Sequence, residues 1–306
     1  MKKINVETKL ETGSTGISRR QVLLSMVALA ASSFEINGWA QSANNWPLWS
    51  VEGKNGKVYL TGETPPRATP WKDERIENLL GNCSVLWNET NQIHRQDPQA
   101  LIKRYGIDGS TPLLSKLTPA DQKRLAQVAE LAKVPVDALA SFRPWVVASE
   151  LESNYYEAMK LPESGTAEKV LIAKAKSSGI PMSSEFAAND DVIEFMGEMT
   201  QAEEIQYLQY TMDHILDGLE ENERIYSLWS HGDLSGAEGM VARMKANQPD
   251  LYKKHVIGRN KNWVPRIDAM LNDPKPALIV VGLYHVAGPD SVLVRLQEKG
   301  FTVRAI

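Results

Sequence analysis

The sequence predicts an α/β fold in which a central mixed sheet is built from N- and C-terminal strands, with large helical insertions between them. Three observations carry this. Short strand patterns stand at the two ends of the chain, around residues 48–61 and 302–305. Ala277-Leu278-Ile279-Val280-Val281 is an unbroken apolar run, as expected of a strand buried on both faces. Between them lie long stretches of helical periodicity with readable capping residues. The two ends of the chain therefore have to meet in one sheet.

The first forty residues read as an export signal. A polar leader precedes Ser18-Arg19-Arg20-Gln21, and Val22 to Ala31 is apolar apart from Ser25. A basic segment, a short apolar core and small residues near Gly38-Trp39-Ala40 fit a cleavable signal, and the paired arginines are similar to a twin-arginine address. A basic amphipathic first helix is the competing reading. Cleavage near residue 40 leaves residues 41–306 as one domain, expected to be soluble in the periplasm.

Within that domain, Leu48-Trp49-Ser50-Val51 and Lys57-Val58-Tyr59-Leu60-Thr61 flank the turn Gly53-Lys54-Asn55-Gly56 and predict a hairpin. Further strands are expected at Ser84-Val85-Leu86-Trp87, Ile180-Pro181-Met182-Ser183, 277–281 and Thr302-Val303-Arg304-Ala305. Helix starts are expected at Thr118-Pro119-Ala120-Asp121, at Gly165-Thr166 (a helix stopped by Gly179), at the capping boxes beginning with Thr200 and Ser235, and at Pro289-Asp290. These place helical insertions near 95–150 and 190–275. Trp46, Trp49, Trp71, Trp145 and Trp263 are expected as core anchors.

Composition excludes several functions. Over all 306 residues, 34 Lys and Arg stand against 38 Asp and Glu; without the signal the balance is 29 against 35, a net charge of -6. This acidity gives nucleic acid no general reason to bind. An apolar content of 42% argues against disorder. No run reaches the roughly 18 apolar residues needed to cross a bilayer, so no membrane span is expected after signal removal. The one cysteine, Cys83, forms no internal pair and is expected as a small buried side chain.

The chemistry is expected where strands end, because ligands of open α/β sheets bind outside the carboxyl edge. Glu63, Glu89, Glu185 and His285 each follow a predicted strand. Clustered carboxylates raise one another's pKa, and a histidine exchanges protons near neutrality, so the set suits acid/base work or a divalent cation. Helix caps and solvated loop acids are the plain alternative for each Glu. Carboxylates favour Mg²⁺, Ca²⁺ or Mn²⁺ over zinc. His285 also precedes a helix start, which suits either an oxyanion or a structural turn.

Leu278 to Ile306, reading LIVVGLYHVAGPDSVLVRLQEKGFTVRAI, resembles the C-terminal signature of the TraB/GumN family, to which the metal-dependent Tiki proteases are related. WSVEGKNGKVYLTG at Trp49–Gly62, Ser141-Phe142-Arg143-Pro144-Trp145, the helix leading through Gly179-Ile180-Pro181 to Glu185, and the segment from Gly258 to Ile267 fit in order. The resemblance spans about residues 46–306. It implies a Gly-x-x-His motif at Gly282–His285, a functional arginine at Arg259 and a functional acid at Glu185. The first such motif departs from the family: Gly62-Glu63-Thr64-Pro65 ends in proline instead of histidine. Trp87 likewise stands where the family places an acid, with Glu89 two residues on.

Together these readings predict a hydrolase of peptide or another acyl substrate, with Glu185, His285 and Arg259 as catalytic candidates and Glu89 and Glu63 as candidate cation ligands. Arg143, Asn260 and Tyr284 are candidates for binding a peptide or small molecule, although a structural ion pair or cation–π contact is the first reading of Arg143. His94, His214, His231 and His255 are expected in surface or capping roles. A non-catalytic periplasmic binding or interaction protein on the same scaffold is the alternative.

Overall fold

The computed structural model describes residues 45–306 apart from Gln92; the predicted export signal lies outside the described residues. Six strands form one sheet: β1 (Leu48–Glu52), β2 (Lys57–Glu63), β3 (Val85–Thr90), β4 (Met182–Phe186), β5 (Ala277–Gly282) and β6 (Thr302–Ala305). Their spatial order is β4-β3-β5-β2-β1-β6. The first four in that order run parallel, whereas β1 and β6 are antiparallel to their neighbours. Trp49 of β1 lies opposite Ala305 of β6, so the two ends of the domain do meet.

The helices are α1 (Glu74–Leu80), α2 (Pro98–Tyr105), α3 (Pro119–Leu131), α4 (Pro144–Ala158), α5 (Ala167–Ser177) and α6 (Asn189–Gly197). They continue with α7 (Gln201–Ser230), α8 (Ser235–Asn247), α9 (Pro249–Tyr252), α10 (Arg259–Met270) and α11 (Val292–Glu298). Among the described residues, no helix is long and apolar enough to cross a membrane.

Local sequence explains most boundaries. Thr118 caps α3 through the Asp121 amide, Thr166 caps α5 through Lys169, and Thr200 with Glu203 forms a reciprocal box at α7. Two expected starts are corrected. Ser235 makes no side-chain cap at α8; Asp233 instead accepts the Ser235 amide, because an Asp two residues earlier reaches that N–H. The last helix begins after Ser291, whose hydroxyl accepts from Val294, while Gly288 at φ +77° keeps the segment before it in a turn. Inside α7, Gly218 at φ +77° breaks the helix in two.

Every residue of β5 is buried, consistent with helices on both faces. On one face lie α1 and α5. On the other, Trp263 of α10 packs edge-on against Trp87 of β3 at 5.2 Å, and Trp229 near the end of α7 packs against Trp46 and Trp49. All five tryptophans expected in the core are buried, as is Cys83, whose thiol burial pushes up to about 11.

Candidate active site

Strand alternation sets the first part of the site. With a period of two, Trp87 and Glu89 share the face covered by α10, whereas Asn88 turns to the opposite face and donates to Glu168 Oε1 at 2.9 Å. The parallel register pairs Thr90 with Phe186, which sets Glu185 of β4 beside Glu89. At the carboxyl end of β5 the chain makes one 3₁₀ turn, Leu283–His285, that brings the imidazole back over the same edge. Arg259 opens α10 directly after a π-helical stretch, Lys253–Gly258. Such wide turns recur at functional sites because they reset which side chains face inward.

Four groups thereby meet. Arg259 Nε lies 2.9 Å and Nη2 2.5 Å from Glu185 Oε2, and Nη2 is also 2.5 Å from Glu89 Oε2. Nη1 lies 3.3 Å from His285 Nε2. The other oxygen of Glu89 accepts the Gly282 amide at 2.7 Å, and Glu89 Oε2 is 3.9 Å from His285 Nε2. Two guanidinium nitrogens are thus anchored by carboxylates, leaving Nη1 as the arm that faces the histidine.

The hydrogen-bond network also assigns the imidazole tautomer. Asn260 is fully buried and donates through Nδ2 to the Asp290 carbonyl at 2.8 Å, so its Oδ1 faces His285 Nδ1, also at 2.8 Å. An amide oxygen only accepts, so Nδ1 carries the proton and Nε2 holds the lone pair toward Arg259. Burial, then the positive charge of Arg259 and the neighbouring His255, hold the His285 pKa well below its ordinary value, which leaves the ring neutral at pH 7. Burial raises the Glu89 pKa, with Arg259 and the Gly282 amide pulling the other way. Burial works against the guanidinium charge, but Glu185 and Glu89 outweigh it and raise the Arg259 pKa.

Beside this cluster is a cavity of about 50 Å³, bounded by Glu89, Arg259 and His285 on one side and by Tyr207, Tyr210 and His255 on the other. Tyr284 also borders it, hydrogen-bonded through its hydroxyl to that of Tyr210. The surface or capping role expected for His255 is corrected: it lies against the cavity, stacked on Tyr207 at 6.0 Å between centroids. Its position four residues before Arg259 is the sequence signal for it, since residues so spaced share a helix face. His214 is likewise buried rather than superficial.

Two other candidates lie elsewhere. Glu63 turns to the face covered by α5, where Oε2 accepts the Glu168 amide at 3.1 Å. Burial and the Glu168 carboxylate raise its pKa well above the usual range. The separation from Glu89 is again a matter of alternation: Gly62, one residue earlier, faces Trp229 and Val286. Arg143 ties α4 to α2, α6 and α7, donating to Glu204 at 2.6 Å and to the carbonyls of Tyr105, Gly197 and Met199. Its donors are engaged in the scaffold, away from the cavity.

These placements do not form a cation site. The guanidinium of Arg259 takes the point where Glu89, Glu185 and His285 converge, and Glu63 faces the other side of the sheet. Among the described residues no group of three or more His, Cys, Asp or Glu side chains is placed to hold a metal ion.

No curated protein and no solved structure matches the chain. A family model does: TraB/PrgY/gumN, over residues 47–305. That match takes in β1 through β6 and all four residues of the cluster, and on it the chain belongs to the TraB/PrgY/gumN family.

Proposed function

We propose that the chain is an exported hydrolase of a peptide or another acyl bond, working through His285 and Arg259 without a metal ion. The observation that carries this is the pairing of a histidine lone pair with a guanidinium arm, Nε2 and Nη1 3.3 Å apart, at the edge of a cavity. In this reading His285 Nε2 takes a proton from water as it attacks the carbonyl. Glu89, 3.9 Å from that nitrogen, stabilises the imidazolium that forms, which then returns the proton to the departing amine or alkoxide as the acyl bond breaks and the carboxylic acid is released. Arg259 Nη1 turns to the developing oxyanion while Glu185 and Glu89 hold the rest of the guanidinium still. Asn260 keeps the ring in the required tautomer. The cavity accommodates water and the reacting carbonyl group, with Tyr207, Tyr210 and Tyr284 as its aromatic wall.

Assays of the purified chain from residue 41 against peptide and ester pools test this. Hydrolysis abolished by His285→Ala and by Arg259→Met, and unaffected by chelators, is the expected result; no turnover on any pool, or turnover that persists in His285→Ala, overturns it. Export rests on the leader around Arg19 and Arg20. Cell fractionation with Arg19→Lys/Arg20→Lys should move the protein from the periplasm to the cytoplasm.

Two observations favour a second reading, a non-catalytic binding protein. Nε and Nη2 of Arg259 are already taken by two carboxylates, and Pro65 stands where the resemblance places a histidine. That reading predicts a His285→Ala strain with an unchanged phenotype.

A further inference from the structure

We infer that Asp290, outside the cavity, is a positioning residue that sets the tautomer of His285 through its own main-chain carbonyl; this rests on the hydrolase reading above only for its effect on rate. The Asp290 carboxylate is gripped by three separate helices. Oδ2 receives Lys245 Nζ of α8 at 2.8 Å and the Tyr252 hydroxyl of α9 at 3.0 Å, and Oδ1 receives Arg295 Nη2 of α11 at 3.2 Å. Each donor comes from a different helix, so the residue is held by several elements and not merely paired. Its carbonyl is then the acceptor of Asn260 Nδ2 at 2.8 Å.

That contact decides which way the amide faces. Asn260 links Asp290 to the imidazole: with Nδ2 committed to Asp290, Oδ1 must accept from His285 Nδ1. If the Asp290 carbonyl withdraws, the amide is free to flip and present NH₂ to Nδ1. The proton can then sit on Nε2, opposed only by the Arg259 Nη1 donor, and where it does the lone pair is lost from the side facing Arg259. A carboxylate at the surface of α8, α9 and α11 thus controls where a buried ring 25 residues from Asn260 in sequence carries its proton. A general-base histidine whose proton sits on the wrong ring nitrogen loses most of its rate.

The test is nitrogen NMR of the ¹⁵N-histidine-labelled chain from residue 41, reading the two ring nitrogens of His285. The wild type should show the Nδ1–H form alone. Asp290→Ala and Tyr252→Phe should both add a detectable Nε2–H form, more in the first, and Asn260→Ala should add the most, leaving only the Arg259 Nη1 donor to favour a lone pair on Nε2. Any hydrolysis should fall in Asp290→Ala in proportion to the Nε2–H form that appears. If Asp290→Ala does not fold, Tyr252→Phe and Arg295→Gln each remove one grip and serve instead. Folded variants that retain only the Nδ1–H form overturn the inference. A tautomer shift in a chain that hydrolyses nothing supports it while removing the hydrolase reading, so the two failures are told apart.

Discussion

Arg259 Nη2 lies 2.5 Å from Glu89 Oε2, with 8% and 2% of the two side chains exposed. Two charges so far from water are stable only together, because each alone carries an unrepaid desolvation cost. Arg259→Met leaves Glu89 and Glu185 facing one another without a cation and should cost about 3–5 kcal/mol in urea denaturation. Glu89→Gln in the same background should restore part of that loss. Simple additivity of the two changes would mean that the pair is not coupled.

A glycine makes the approach of α7 to the sheet possible. A Cβ on Gly62 would lie 2.5 Å from Trp229 Cζ2 and 2.8 Å from Val286 Cγ2. Neither neighbour has room to withdraw, since Trp229 is fully buried among Trp46 and Trp49 and Val286 directly follows His285. Gly62→Ala should therefore cost about 1–3 kcal/mol. Trp229→Phe, by trimming the ring, should cost less in the Gly62→Ala background than alone; equal costs in both backgrounds would show that the contact is not what excludes alanine.

The main strands were legible because each carries its own pattern: β5 is apolar throughout, the β1–β2 hairpin encloses Gly53 to Gly56, and Thr302 to Ala305 alternates. The convergence of Glu89, Glu185 and His285 was readable as a rule about strand ends. What the rule does not carry is the direction of each side chain. Glu63 lies at the carboxyl end of its strand and Glu89 one residue before the end of its own, but the pleat sends Glu63 to α5, and parity could be judged only once the boundary of β2 was known to extend to Glu63. Tyr207 and Tyr210 reach the cavity from α7, which breaks at Gly218, and His255 reaches it from the π turn at 253–258. Neither irregularity leaves a period in the sequence.

Arg143 offers a contrast with Arg259. Its guanidinium closes three segments by donating to Glu204 and to carbonyls at 2.7, 2.9 and 3.2 Å. Arg143→Met strands those acceptors and the Glu204 carboxylate, with an expected loss of about 3 kcal/mol. Because none of its partners borders the cavity, the variant at a temperature where it remains folded should keep the wild-type His285 nitrogen spectrum. A changed spectrum would place Arg143 in the site after all.

Acid stability should report the buried histidines. Burial, followed by the charge of Arg243, lowers the His214 pKa to about 3, and burial with Arg259 and Lys254 does the same for His255. In the unfolded chain each titrates near 6.5. Above that value both states are neutral and stability does not depend on these groups. Between 6.5 and about 3 only the unfolded chain takes up the proton, so each depressed histidine weakens the fold as pH falls, by about 1.4 kcal/mol per pH unit once fully engaged. Glu63 acts in the opposite sense: its raised folded pKa makes the folded state the better proton acceptor above 4.5, and lowering the pH there favours folding. The total slope mixes these signs, and the difference between variants isolates one of them. His214→Gln should remove about one proton's worth of slope between pH 6 and pH 5, whatever its effect on stability at pH 7. Parallel curves for wild type and variant over that window would mean that His214 is protonated in the fold, in spite of its burial beside Arg243.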